Sequence, residues 1–473
     1  MSSAPRGGRT RTEAILDSAA VAVLWAALFL AGRWRGSLHG DALRYAAVAK
    51  DLAARGDLTD PRFAGEPYWN KPPLVLALSA LSIHAFGPNR FGAAFPVALF
   101  SLGTMWVTGA IGRRFLGRAG GWVAAVALGT TPLLVRHGSD LRLDPPLAFF
   151  TAGALAAVLF GAERRRLLPL FGACVGLGFL AKGPGALAPI GAVALLSLLG
   201  RTRFPWDRRG FWVGIAIGLG VALPWFVAMR ARHGEAFVSR FFGAEFAGRF
   251  AGEWGRKDTP LHYGPWLLEG TVPWCVVAAA GLVALRRRAR FEDRRLARFL
   301  LAWSVSGLAP LLFVRPPYAR YLVSTLPCLA LLAGRGALPW LEGSRFAALR
   351  LAAGALAVLG AVGACAGAIP VTSRAPRDLD RVAAAVRGRG PNLRILAATL
   401  PGEAGEVPTG LRACLDFHFG LRALPVAPDA LASLAPRFGD LLVIHKKARG
   451  TPSSSWRRSW QGETYALFEP SGG

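Results

Sequence analysis

Apolar positions along this chain come in blocks. They run roughly over 14–32, 91–112, 119–136, 145–161, 167–181, 185–200, 211–229, 263–285, 297–314, 321–336 and 347–370. About 20 apolar residues suffice to cross about 30 Å of hydrocarbon, so these blocks predict membrane-spanning helices. A further run, 73–87, is shorter and follows Pro72-Pro73. It predicts a helix that lies at the membrane interface. From Val371 onward the pattern changes. Short β-like runs at 394–398 and 440–444 alternate with helix-like stretches such as 378–387. The pattern predicts an all-α polytopic membrane protein of about 11 transmembrane helices, residues 1–370. A small α+β domain outside the membrane, residues 371–473, follows it.

Charge orients the blocks. The chain is 53% hydrophobic with a net charge of +28 and a mean hydropathy of +0.37. Arginines supply most of that charge, in short clusters between apolar blocks such as Arg286-Arg287-Arg288. With 73–87 not crossing, the N-terminus and the loops at 113–118, 163–166, 201–209, 286–298 and 335–350 share one face. They hold 23 of the 56 Lys and Arg residues. That is the positive-inside pattern, with the N-terminus in the cytoplasm and the C-terminus outside. It accounts for the basicity without a nucleic-acid partner. The first apolar run lacks a clean small-residue cleavage site and reads as a retained helix. Five cysteines show neither metal-site nor disulfide spacing.

Two long loops, 33–90 and 230–262, then face outward together with the tail. Long loops without structure of their own are usually functional. The first contains Asp41-Ala42-Leu43-Arg44-Tyr45 and Tyr68-Trp69-Asn70-Lys71-Pro72-Pro73. Asp41 reads either as a helix cap or as a reactive carboxylate. Lys71 reads either as a snorkelling side chain or as a grip on a lipid phosphate. Asp144, in Leu143-Asp144-Pro145, stands at the boundary of an apolar block, where a carboxylate is costly unless paired or used. Lys182, in Leu180-Ala181-Lys182-Gly183, is a lone charge between two block ends. The second loop carries Glu245-Phe246-Ala247-Gly248-Arg249, and an outer turn carries Tyr318-Ala319-Arg320-Tyr321. Carboxylates, cations and aromatic surfaces on one membrane face suit transfer from a phosphorylated lipid. Cations stabilise a departing phosphate and a carboxylate takes a proton.

In this order the motifs resemble those of the aminoarabinose transferase and protein O-mannosyltransferase group, GT-C-fold enzymes of glycosyltransferase family 39. The set is Asp-x-x-Arg-Tyr, Tyr-Trp-x-Lys-Pro-Pro, Leu-Asp-Pro, Leu-x-Lys-Gly, Pro-Trp and Arg-Tyr-x-x-x-x-Leu-Pro, over about residues 14–336. The resemblance implies a multi-pass protein of the bacterial inner membrane with a periplasmic active site. Its donor would be a polyprenyl-phosphate sugar and its transfer inverting. The acceptor would be an envelope glycolipid, glycan or protein. Asp41 matches the general-base position and Asp144 a second acidic position. Lys71 and Lys182 match lysines near the donor phosphate, with Arg249 and Arg320 beside them. Arg44, Tyr45, Tyr68, Asn70 and Tyr321 match looser positions around the cavity. In aminoarabinose transferases a Glu precedes Lys-Pro-Pro, and a His follows the Glu of the second loop. The pair resembles metal ligands there. Asn70 and Phe246 stand at those positions, which predicts a site working without metal or other cofactor and argues against aminoarabinose as the sugar. Two other readings stay open: a carrier or flippase of lipid-linked sugars, and a non-catalytic envelope assembly protein.

Overall fold

The computed structural model describes residues 11–31, 38, 40–248, 260–287, 291–314, 316–341, 377–386, 393–399, 408–419, 421, 423–437, 440–445, 448, 451–461 and 464–471. The helices are α1 (Arg11–Trp25), α2 (Asp41–Arg55), α3 (Leu74–Phe86), α4 (Arg90–Thr130), α5 (Pro132–Gly138), α6 (Asp144–Gly161), α7 (Pro169–Lys182), α8 (Ala188–Gly200), α9 (Arg209–Val238), α10 (Tyr263–Thr271), α11 (Trp274–Arg287), α12 (Phe291–Leu308), α13 (Leu326–Ala337), α14 (Arg377–Val386) and α15 (Thr409–Phe419). A π-helical stretch, Ser239–Ala247, continues α9. The strands are β1 (Arg62–Phe63), β2 (Glu66–Pro67), β3 (Ile395–Ala398), β4 (Leu424–Val426), β5 (Leu441–His445), β6 (Trp456–Gln461) and β7 (Tyr465–Pro470).

Among the described residues, five helical stretches are long and apolar enough to cross a membrane. They are Arg90–Thr130, Asp144–Gly161, Arg209–Glu245, Phe291–Leu312 and Ala319–Trp340. The pair α10 and α11 passes as a sixth when taken together, but bends by 104°. The chain is thus a multi-pass membrane protein, and among the described residues the long apolar stretches number fewer than the eleven expected spans. The expected span 263–285 is broken at Pro273. Proline has no N–H to donate and its ring pushes the preceding residue out of the helical region. Val272 accordingly has ψ 136°. The expected spans at 91–112 and 119–136 fall mainly within Arg90–Thr130, which is two helices meeting at a kink at Gly117, φ 75°, inside the expected loop 113–118. The runs at 14–32, 73–87 and 185–200 form shorter apolar helices, and α7 has only 14 residues. At 1.5 Å per residue, such a helix is about 21 Å long. The expected span 347–370 lies outside the described residues.

Two compact units emerge. The first comprises Met1–Arg33, Trp69–Leu78 and Ala94–Val371, and the second Trp34–Tyr68, Ser79–Ala93 and Thr372–Gly473. In the first, α7 packs on α9 through facing glycines. A Cβ added at Gly172 would sit 1.8 Å from the Gly214 carbonyl oxygen, and one at Gly176 would sit 2.4 Å from that of Gly218. Both helices carry small residues four apart, the spacing that lets backbones touch in lipid, where no hydrophobic force drives helices together. Phe171, Phe211 and Trp303 fill the core beside this contact.

The second unit contains the expected α+β tail. Its sheet has the order β4-β3-β5-β7-β6. Strand β3 is parallel to β4 and β5, whereas β7 is antiparallel to β5 and β6. Strands β3 and β5 are apolar because both are buried along most of their length. Helix α2, from the first long loop, packs against α15 of the tail. Lys50 donates to the carbonyls of Asp416 and Phe417 at 2.7 and 3.0 Å. A cation there satisfies carbonyls that the end of a helix leaves unpaired. Arg412 donates to the Ala64 carbonyl at 3.2 Å, and its guanidinium lies 5.3 Å from the Phe63 ring centroid.

Candidate active site

Neither aspartate that the sequence singles out is used as a cap. Asp144 is the first residue of α6, and its helix start has no side-chain cap hydrogen bond. Asp41 opens α2 behind Gly40, which occupies the capping position at φ 54° without a side chain to offer. Both carboxylates are therefore spent on other partners.

In the first unit, Asp144 is 3% exposed. Lys182, on the last turn of α7, hydrogen-bonds to its Oδ1. Arg320 brings Nε to 4.0 Å from its Oδ2. The local fold dictates this meeting. α6 and α7 are antiparallel neighbours joined by a short turn, and the glycine contact with α9 fixes α7. Gly183 ends α7 with φ 87°, a conformation that favours glycine, so the chain turns away directly after Lys182. Aromatic faces complete the cluster. Lys182 Nζ lies 4.6 Å from the centroid of Tyr321. The Arg320 guanidinium lies 3.9 Å from that of Tyr318 and 5.7 Å from that of Tyr321. Cations held over aromatic faces keep their charge while leaving other donors available.

His137, on the short helix α5, belongs to the same electrostatic neighbourhood. Burial pushes its imidazole pKa down to about 3, with Asp144 opposing and Arg142, Arg136 and Arg320 adding to the fall. It is therefore a neutral imidazole beside the cations. Sequence reading missed it because a single neutral histidine carries no charge signal, and its burial arises only from the fold.

Lys71 forms the second pair of this unit. Its Nζ lies 2.8 Å from Glu245 Oε2, with side chains 17% and 6% exposed. The neighbouring residues hold the same two segments together. Asn70 Oδ1 accepts from Arg240 Nε at 3.1 Å, and Trp69 packs on His233 and Phe237 at centroid distances of 4.9 and 6.0 Å. Phe241 lies near both segments. It precedes Glu245 by one turn, and its Cζ would lie 4.0 Å from a Cβ at Gly183, the residue after Lys182. Glu245 was legible only as an acid within an aromatic stretch.

The remaining residues sit in the second unit. Asp41 and Arg44 pair one turn apart on α2. Tyr45 meets Tyr68 edge to face at 6.5 Å, and Tyr68 meets Phe63 likewise at 6.5 Å. The antiparallel hairpin β1–β2 sets Tyr68, whose N–H donates to the Pro61 carbonyl at 2.8 Å. Burial works against the charge of Arg44, but Tyr68, Asp41 and Tyr45 outweigh it and its pKa is raised. Its Nε is buried without an acceptor among the described residues. Arg249 lies outside the described residues. Among the described residues no group of three or more His, Cys, Asp or Glu side chains is placed to hold a metal ion.

Residues 70–227 match the dolichyl-phosphate-mannose-protein mannosyltransferase family. The chain is 30% identical over 301 residues to the undecaprenyl phosphate-alpha-4-amino-4-deoxy-L-arabinose arabinosyl transferase of Shewanella sediminis, covering 62% of this chain and 54% of that protein. It is 30% identical over 332 residues to the enzyme of the same name from Pectobacterium atrosepticum, covering 67% and 58%. The chain thus spans a little over half the length of these relatives. Two crystal structures of ArnT from Cupriavidus metallidurans share its fold. The apo form gives a TM-score of 0.73 at 20% identity, covering 97% of both chains. The form bound to undecaprenyl phosphate gives 0.69 at 18% identity, covering 97% of this chain and 98% of that one. The chain is a GT-C-fold membrane protein, aminoarabinose-transferase-like in sequence and in architecture.

Proposed function

We propose that the protein is a membrane glycosyltransferase that moves a sugar from a polyprenyl-phosphate donor to an envelope glycolipid, glycan or protein, with inversion. The observation that carries this reading is the buried Asp144 held between Lys182 and Arg320. Two cations face this carboxylate, a composition that suits the binding of a phosphate. In the transfer, the bond between the sugar C1 and the phosphate oxygen breaks as the acceptor oxygen bonds to C1 from the opposite face. The acceptor proton passes to Asp41. The phosphate leaves with more negative charge than it had in the donor, so Lys71, Lys182 and Arg320 stabilise the transition state more than the ground state. Arg249 is assigned to the same phosphate. Asp144 keeps Lys182 and Arg320 aimed. The family resemblance assigns Arg44, Tyr45, Tyr68, Asn70 and Tyr321 to positions around the reacting sugar.

Orientation follows from two supports. The first long loop and the tail pack on one another through Lys50 and Arg412, so they share a side of the membrane. The arginine-rich loops argue that this side is the periplasm and that the N-terminus lies in the cytoplasm of a bacterial inner membrane. Carriers use broken helices, and the bent pair α10–α11 is one. A broken helix without repeated halves is weaker support than the acid–cation cluster.

The test is a transfer assay. Purified protein in nanodiscs receives labelled polyprenyl-phosphate sugars and envelope lipids. Label appearing on an acceptor supports the reading. In a parallel reconstitution into sealed vesicles, label that crosses the bilayer without changing its chemical linkage supports the carrier instead.

A further inference from the structure

The donor phosphate has a competitor inside the protein. Lys71 is paired at 2.8 Å with Glu245, and both side chains are largely removed from solvent. A carboxylate and a phosphate are chemically alike to an ammonium: each is an oxyanion that accepts its protons. We infer that Glu245 is a built-in counter-ion for Lys71, and that a polyprenyl phosphate entering the site displaces it. The inference rests on the assignment of Lys71 to the donor phosphate.

The surroundings allow Glu245 to leave without the segments parting. Glu245 lies near the end of the π-helical stretch Ser239–Ala247, a winding with poorer hydrogen-bond economy than an α-helix, found at functional sites. Behind it, Arg240 grips Asn70 at 3.1 Å. Trp69 is packed on His233 and Phe237, while Phe237, Phe241 and Trp225 form their own apolar cluster. These contacts hold the loop bearing Lys71 to the end of α9 whatever Glu245 does. An empty site with an unpaired buried lysine would be costly, because removing one partner leaves an uncompensated charge. With Glu245 present the empty site is neutralised, and its affinity for an anion is lowered by the same pairing. Release of the spent lipid phosphate is then assisted when Glu245 returns to Lys71.

The sign of one substitution distinguishes this role from a positioning role. Binding of undecaprenyl phosphate is measured on full-length protein in nanodiscs for wild type, Glu245→Gln, Glu245→Asp and Lys71→Met. Displacement predicts that Glu245→Gln binds roughly tenfold more tightly, and that Glu245→Asp, which keeps the charge, stays near wild type. It also predicts lower KM for the donor with lower kcat, as release of lipid phosphate slows. Equal or weaker binding by Glu245→Gln, with an unchanged thermal unfolding profile, overturns the inference while leaving the donor site intact. Should wild type and Lys71→Met bind the lipid phosphate equally, the assignment of Lys71 fails and takes the inference with it. If Glu245→Gln unfolds, Glu245→Asp decides: several-fold weaker binding contradicts displacement.

Discussion

Lys50, in the first long loop, closes the end of helix α15 in the tail by donating to the carbonyls of Asp416 and Phe417. Residues some 366 positions apart in sequence are thereby bound to one body. The number of membrane crossings between them must be even, and the proposed orientation places the arginine-rich loops on the other face. Cysteines placed at Asp57 and Ser454 in a cysteine-free background should label from the same side. One at Arg203 should label from the opposite side. Labelling of Asp57 and Ser454 from different faces would break this topology.

The same lysine supports the helix that carries Asp41. Lys50→Ala removes a charged donor from a helix C-terminus, an interaction worth about 1–2 kcal/mol. Burial lowers the Lys50 pKa, with the charge of Asp416 opposing that fall, so the pairing is not a loose surface contact. Limited proteolysis should release the tail sooner in Lys50→Ala, and Lys50→Arg should restore resistance.

The glycine seam sets Lys182 in place. Gly172→Leu or Gly176→Leu must force α7 away from α9, because even a Cβ would lie 1.8 or 2.4 Å from a carbonyl oxygen. Each should lower the melting temperature in detergent by several degrees. Gly220→Ala, where nothing lies within 4 Å of the added Cβ, should be neutral in the same measurement.

Protonation of His137 should be destabilising. Its folded pKa, about 3, lies below its unfolded value, so between those values the unfolded chain binds more protons. Stability is complete above about pH 6.5 and falls as pH drops from there toward 3. Arg136, Arg142 and Arg320 work with burial in this, against Asp144. Thermal unfolding followed from pH 7 to pH 4 should show a decline that His137→Gln makes shallower.

Much of the fold was legible in the sequence because its signals are local. Apolar blocks give helices, the Pro72-Pro73 pair starts α3, and the switch to short alternating runs after 371 gives the α/β tail. What the sequence misplaced was shape within the blocks. Pro273 breaks an apolar run that composition alone joins. For the site, Asp144, Lys182 and Arg320 were legible because a charge at a block edge is costly and conspicuous. Glu245 was not, since its meaning comes from Lys71, 174 positions away and adjacent only after folding. His137 was not either, since its meaning comes from burial, which no local pattern around it announces.

The most direct measurement is turnover of a labelled undecaprenyl-phosphate sugar by purified wild type, Asp41→Asn and Asp144→Asn under identical conditions. The account predicts transfer by wild type and a loss of about a hundredfold or more in kcat for both variants, with folding intact. Full turnover in either variant would contradict the role given to that aspartate, and no transfer by wild type across a panel of donors and acceptors would contradict the glycosyltransferase assignment.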